Sequence, residues 1–273
     1  MMRAPPILAA MLLAGAIAAC DDPRADCANV QADAERAIRA CTAIVNGGRD
    51  TKHNVALAFY NRGIAHSNKG KYDDAISDLT QSLGLDRNHA RAYYRRALAH
   101  YSKADNEAAI ADFTEALRLN PKDRLAHSRR GGANLNKGDY SAAVADTTEA
   151  IRLDANDDFA YATRAAAHYA LRDYDRAVAD FTEAIRITPR DGKRYVARGW
   201  AHCKLLKTAA ALADADYAIA LSPANPAPHE LRAYIHERLG RKDDAIADLR
   251  AALRVDPSRQ ENRKALQRLG AQP

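Results

Sequence analysis

The sequence predicts an all-α solenoid of six antiparallel helical hairpins in succession. Three observations predict it. The chain repeats every 34 residues from position 56, giving units 56–89, 90–123, 124–157, 158–191, 192–225 and 226–259 with no insertion or deletion. Certain columns hold only small residues: Gly63, Ala97, Gly131, Ala165, Gly199 and Ala233 at the eighth slot, and Ala75, Ala109, Ala143, Ala177, Ala211 and Ala245 at the twentieth. Helix breakers recur at the turns, with Gly70, Gly138 and Gly240 inside the unit and Pro121, Pro189, Pro223 and Pro257 at its end. A period of this length marks an array whose repeats bury their apolar faces against their neighbours.

Composition agrees with a folded helical protein: 47% apolar and 28% charged residues, with 13 Gly and 10 Pro in 273. The net charge is +6. The basic residues alternate with acids every few positions, which reads as a solvated helical surface. A nucleic-acid footprint would gather Lys and Arg on one face, so no nucleic-acid partner is expected. After residue 20 no apolar stretch approaches the roughly 18 residues that cross a bilayer.

Residues 1–19 read as a signal peptide, with Arg3 ahead of an apolar run from Ile7 to Ala19. The segment Ile17-Ala18-Ala19-Cys20 resembles the lipobox of bacterial lipoproteins. That resemblance implies cleavage before Cys20, lipid on its sulfur, and a short linker over 20–24. The expected location is the periplasmic face of a bacterial membrane, lipid-anchored. Cleavage at an A-x-A site would instead leave a soluble periplasmic protein. Asp21 follows the cysteine, a residue that favours inner-membrane retention in enterobacterial lipoproteins.

Residues 25–55 read as a degenerate hairpin with a connector at Gly47-Gly48. Ala37-Ile38-Arg39-Ala40-Cys41 matches the second-helix pattern Ala75-Ile76-Ser77-Asp78-Leu79. Export implies an oxidising compartment, and Cys27 and Cys41 flank the turn of this hairpin, so a disulfide between them is expected. Two buried thiols are the alternative. Cys203 is left over inside a repeat helix and reads as a small buried hydrophobe.

In each repeat, small residues let the two helices approach closely. Bulkier ones fill the seam: Phe59, Tyr93, Tyr161 and Tyr195 at the fourth slot, Leu79, Phe113, Phe181 and Leu249 at the twenty-fourth. Residues 260–273 read as a polar capping helix and tail, which keeps the last apolar face out of water. Spacing, small-residue columns and the proline together resemble the tetratricopeptide-repeat (TPR) family over residues 56–259. The resemblance implies a right-handed α-solenoid and a non-catalytic interaction scaffold. Arg87 and Ala155 stand where the proline is expected, and Thr147 stands at a bulky slot.

Two charged columns recur in every repeat: Arg62, Arg96, Arg130, Arg164, Arg198 and Arg232 at the seventh slot, and Asp78, Asp112, Asp146, Asp180, Asp214 and Asp248 at the twenty-third. They read as rungs of a structural ion-pair ladder. His66, His100, His168, His202 and His236 occupy the eleventh slot. One histidine per repeat, each roughly 10 Å from the next, cannot gather around one ion, so packing is expected and no metal. No zinc-protease, P-loop, nucleophile-elbow or dinucleotide motif is present. No catalytic residue and no cofactor is predicted.

The TPR resemblance places a ligand groove along the first helices. Its slots hold Tyr60, Asn61, Asn68, Arg91, Tyr94, Arg95, Tyr101, Arg129, Asn136, Tyr169, Trp200, Lys204 and Tyr234. Tyr, Trp and Arg dominate binding hot spots, and the mixture suits an extended peptide of some acidic character. A chaperone-tail clamp is not expected, because its slots hold Tyr60, Ile64 and Leu125. The expected function is an envelope adaptor that holds a protein or peptide. A peptidoglycan or glycan binder using the aromatic residues as stacking platforms is the alternative.

Overall fold

The computed structural model describes residues 23–272, and every regular element among them is helical. The leader, Cys20 and Pro273 lie outside the described residues. A short α1 (Pro23–Ala28) and α2 (Ala34–Gly47) precede α3 (Lys52–Asn68) and α4 (Tyr72–Leu85). Then follow α5 (Ala90–Ser102), α6 (Asn106–Leu119), α7 (Arg124–Lys137), α8 (Tyr140–Leu153), α9 (Asp158–Ala170) and α10 (Tyr174–Ile187). The series ends with α11 (Gly192–Lys204), α12 (Thr208–Leu221), α13 (Pro226–Arg238), α14 (Lys242–Val255) and α15 (Gln260–Arg268). No described helix is long and apolar enough to cross a membrane. The helices fall into two compact units, Met1–Asp86 and Arg87–Pro273.

Local chemistry sets the helix ends. Asp105, Asp139 and Asp173 cap the second helices α6, α8 and α10, each side chain accepting an amide of the first turn. Asp123, Asp157, Asp191 and Asn225 do the same for α7, α9, α11 and α13. Such caps satisfy amides that have no partner inside the helix. The fifteenth slot of every repeat is left-handed: Gly70, Ala104, Gly138, Arg172, Leu206 and Gly240. The next residue's amide then closes on the eleventh-slot carbonyl, as in Asp139 to Asn134 at 2.9 Å and Lys207 to His202 at 2.9 Å. This is a Schellman ending. One boundary differs from the expected repeat: α3 begins at Lys52, four residues ahead of position 56. Gly48 ends α2 at φ 64°, and the Thr51 hydroxyl accepts from the Asn54 amide, so the connector contracts to Gly48–Thr51.

Within each hairpin the small columns are fully buried, Ala75, Ala109, Ala143, Ala177, Ala211 and Ala245 all at 0% exposure. Gly199 shows why the eighth slot stays small. A Cβ there would lie 2.5 Å from Leu231 Cδ2.

The charged columns meet inside each hairpin. Every arginine grips its aspartate with two parallel bonds, for example Arg164 Nε to Asp180 Oδ2 at 2.8 Å and Nη2 to Oδ1 at 2.7 Å. Arg62–Asp78, Arg96–Asp112, Arg130–Asp146, Arg198–Asp214 and Arg232–Asp248 repeat the geometry. The third nitrogen reaches back to the preceding hairpin: Arg130 to Thr114, Arg164 to Thr148 and Arg198 to Thr182 at 3.1 Å, and Arg232 to Asp216 at 2.6 Å. In the first unit Arg62 reaches Thr42 of α2 at 3.0 Å. The staple between hairpins was not foreseen from the sequence, although a hydroxyl or carboxylate at the twenty-fifth slot was visible there.

Four of the five eleventh-slot histidines stand against the same aspartates, and His100 faces Asp105 at 3.2 Å. His66, His168, His202 and His236 bring Nε2 to 3.7–3.9 Å of Asp78, Asp180, Asp214 and Asp248. In the third repeat Asn134 takes the slot and donates to Asp146 at 3.0 Å.

Candidate functional site

In the unit Arg87–Pro273, the first helices α5, α7, α9, α11 and α13 pack on their own partners and also on one another in order. No successive pair of second helices makes a comparable contact among the described residues. The first helices therefore crowd together along one side, which they line with two distinct groups of residues.

The first group lies across α5, α7 and α9. Tyr94 is half-buried with its ring 5.7 Å from that of Phe113. Burial pushes its hydroxyl pKa up, and the guanidinium groups of Arg129 and Arg95 oppose that rise. The Arg129 guanidinium lies 4.2 Å above the Phe159 ring, a cation–π contact. Gly132 makes room for it, since a Cβ there would sit 3.0 Å from Phe159 Cζ and 3.3 Å from the Tyr101 hydroxyl.

The second group lies across α9, α11 and α13. Ala166, Tyr169, Ala197 and Trp200, with Phe181 below them, line an open apolar hollow of about 240 Å³. Two alanines at groove slots leave its floor open. Trp200 and Tyr234 lie 5.0 Å apart, and Tyr169 meets Tyr174 edge-on at 5.3 Å. Burial pushes the Tyr169 hydroxyl up. Arg238 stands 5.9 Å over the Tyr234 ring.

The charge on this side that is not held in ion pairs is positive. Arg91, Arg95, Arg129, Lys193, Lys204 and Arg238 lie along it, and none forms an ion pair among the described residues. The carboxylates on the same helix faces, Glu230 and Glu237, are held by Arg259 and Asn262 and by Arg268. Long cations without a carboxylate partner at a partly apolar surface attract anionic groups at little desolvation cost.

Tyr60, Asn61 and Asn68, the sequence-predicted groove residues of the first unit, serve a different purpose. Tyr60 packs with Val30, Ala37 and Ile64. Asn61 faces Cys27, and Asn68 donates to the Val30 carbonyl at 3.2 Å. All three thus contact the N-terminal hairpin, Tyr60 and Asn61 half-buried against it and Asn68 exposed beside it. Tyr101 is likewise half-buried against the Phe113 cluster. Asn136 and Lys204 sit exposed at the ends of α7 and α11.

Cys27 and Cys41 are both buried, with their sulfurs joined and their α-carbons 4.8 Å apart. Cys203 is half-buried and burial pushes its thiol up, which suppresses the nucleophilic thiolate. No group of three or more metal-ligating side chains occurs among the described residues.

Models of the tetratricopeptide repeat match residues 56–89 and 90–123, 158–191, and 196–260. The chain belongs to the tetratricopeptide-repeat family. TPR arrays generally serve as non-catalytic surfaces for binding other proteins. Solved TPR-like structures share the fold at low identity. A chain of the APC/C hetero-tetramer Cut9–Hcn1 aligns at TM-score 0.67 and 18% identity, over 86% of this chain and 48% of that one. The present chain thus spans about half the length of that matched chain. A TPR protein from Parabacteroides merdae aligns at TM-score 0.64 and 23% identity, over 87% and 92% of the two chains. PilF of Pseudomonas aeruginosa aligns at TM-score 0.67 and 15% identity, over 80% and 99%. A search of curated proteins found no match.

Sequence reasoning missed Phe159, Phe181, Tyr174 and Arg238 of this TPR face. Arg238 shares the thirteenth slot with Lys204, and Phe159 is the aromatic at a second slot that holds Arg91, Leu125 and Lys193 elsewhere. Both were therefore findable by column. Phe181 and Tyr174 belong to α10 and show only once the hairpin closes.

Proposed function

We propose that this protein is a non-catalytic adaptor of the bacterial cell envelope that holds an extended acidic protein segment along the first helices between Arg91 and Arg238. The observation that carries the reading is the row of cations outside ion pairs on that face beside its aromatic residues. Backbone length supports it too. A segment crossing successive first helices roughly 10 Å apart meets a new helix about every three residues of extended chain. Side chains of alternating character can then address the arginines and the apolar hollow in turn.

The test is affinity capture with intact protein beside a Tyr94→Ala/Arg95→Ala/Arg129→Ala variant, at low and at physiological salt. A partner lost only from the variant, and weakened by salt, supports the groove. An unchanged set of captured proteins refutes it. The lipobox-like segment Ile17–Cys20 supports tethering at the periplasmic face through lipid on Cys20. Mass spectrometry of the mature protein tests that, and an unmodified Cys20 would sink it.

A glycan-binding reading rests on one observation, the Trp200–Tyr234 pair flanking the hollow. Trp200 is the only tryptophan, so its emission reports on this site alone. Saturable change with soluble peptidoglycan fragments would favour the glycan, and no change would leave the peptide reading in place.

A further inference from the structure

The turns joining first to second helices form a second feature, which borders the groove and shares Lys204 and Arg238 with it. In the first three repeats the fourteenth slot is Lys69, Lys103 and Lys137. Lys69 pairs with Glu35, and Lys137 pairs with Glu107 at 3.0 Å. In the last three repeats the slot becomes Leu171, Leu205 and Leu239. Leu171 is 47% exposed, Leu239 43%, and Leu206 beside Leu205 is 77% exposed.

The turn of the fifth repeat breaks two local rules at once. Leu206 holds φ at 58°, a left-handed conformation that costs an ordinary side chain and suits glycine. Lys207 then stands where Asp105, Asp139 and Asp173 cap the equivalent helices, and α12 has no side-chain cap. The first and sixth repeats share the second departure, with Lys71 at the cap of α4 and Arg241 at the cap of α14. Strain and a missing cap held in one exposed turn point to a use outside folding.

The sequence of these turns says what they meet. Lys204-Leu205-Leu206-Lys207 and Arg238-Leu239-Gly240-Arg241-Lys242 set leucines between cations. The acids nearby are Asp173, Asp175, Glu237, Asp243 and Asp244. Glu237 is held by Arg268, Asp173 by Arg176 and Asp175 by Lys207. The turns lie on one edge, because α9, α11 and α13 pack side by side and Leu206 lines a hollow with Tyr234 and Arg238. A protein-docking patch would join its leucines into one apolar area, whereas here cations separate them. That alternation suits a bilayer surface: leucines enter the acyl boundary, and lysine and arginine stems rise to the phosphates.

We propose that this edge, Leu171, Leu206 and Leu239 with Lys204, Lys207, Arg238 and Arg241, rests on an anionic lipid leaflet. The assignment does not depend on lipid at Cys20. It lays the TPR array against the membrane through its own side chains.

The test uses the full chain with Trp200→Phe, so that one introduced tryptophan reports. Leu206→Trp is compared with Leu125→Trp, a 40%-exposed leucine at the opposite end of a first helix. Circular dichroism of each variant secures the helical fold. With phosphatidylglycerol vesicles carrying brominated acyl chains, the tryptophan at 206 should shift to the blue and be quenched, and that at 125 should not. Lys204→Glu/Lys207→Glu should lower vesicle affinity by roughly 30-fold or more, the worth of two lysines near an anionic surface. All variants share the same N-terminal segment, so equal quenching at both positions assigns the binding to that segment and overturns the proposal. So does quenching that ignores the lysine reversal. A blue shift that grows with protein concentration and needs no vesicles would make the edge a contact between copies, and overturns it as well.

Discussion

Single side chains in this protein do structural work that their conspicuous repetition conceals. Asp180 is 7% exposed and receives two bonds from Arg164. Removing one partner of such a pair leaves a buried charge uncompensated, so Asp180→Ala should cost about 3–5 kcal/mol in urea unfolding. His127 shows the same carboxylate logic with a pH signature. Its Nδ1 lies 3.5 Å from Asp146 Oδ1 and its Nε2 lies 3.1 Å from the Pro121 carbonyl. Asp146 and that carbonyl raise its pKa against the opposing effect of burial. A histidine raised on folding contributes stability below the ordinary value near 6.5, and that contribution fades as pH rises through the folded value. His127→Gln should therefore lower the melting temperature more at pH 6 than at pH 8. Burial lowers His168, so His168→Gln should show the reverse: relative to wild type, the variant gains as pH falls below 6.5. The columns were legible in the sequence because periodicity lines them up. The pKa contrast between His127 and His168 was not, because it depends on which carboxylate and which carbonyl stand next to each ring.

At the scale of elements, the turns carry the information. Hairpin positions, buried small columns and the capping α15 follow from a period of 34 read off the chain. The early start of α3 was missed, because a threonine cap at 51 lies outside the repeat frame. The left-handed leucine was missed for a related reason: glycine at the same slot in other repeats hides the conformation that Leu206 has to share. Installing a cap should relieve that turn. Lys207→Asp should stabilise the protein by about 1 kcal/mol, measured as a higher urea midpoint, while weakening the lipid contact. In the N-terminal element, joined sulfurs at Cys27 and Cys41 close a short loop. Cys27→Ser/Cys41→Ser should cost about 3 kcal/mol in the chain-entropy model. If wild type and variant unfold together under non-reducing conditions, no such bond forms.

For the whole molecule, stability should be a sum of hairpins and their junctions, and the terms are uneven. Among the described residues of the unit Arg87–Pro273, buried apolar clusters centre on the α5–α6, α9–α10, α11–α12 and α13–α14 hairpins, and α8 contributes to none. Its seam holds Thr147, fully buried and bonded back to the Ala143 carbonyl at 2.6 Å. Hydrogen exchange should therefore be faster in α8 than in α6 or α10, and uniform protection across the three would contradict this. The candidate site was half legible. Its arginines, tyrosines and tryptophan stand at first-helix slots that a repeat frame can number. Which of them remain open depends on neighbours: the N-terminal hairpin covers Tyr60 and Asn61, and the alanines at 166 and 197 open the hollow.

The arginine that reaches back across each junction also governs how such a chain can change length. Each repeat from 90 to 225 carries both halves of the staple, an arginine at its seventh slot and Thr114, Thr148, Thr182 or Asp216 at its twenty-fifth. A duplicated 34-residue unit inserted there would find its acceptor waiting and offer one to the next. In the last repeat the acceptor's place holds Arg250, which donates instead to the Gln272 carbonyl at 3.0 Å. A further repeat added behind α14 would bring its arginine against a like charge. Gene duplication can therefore lengthen this array from within, while its trailing end repels extension.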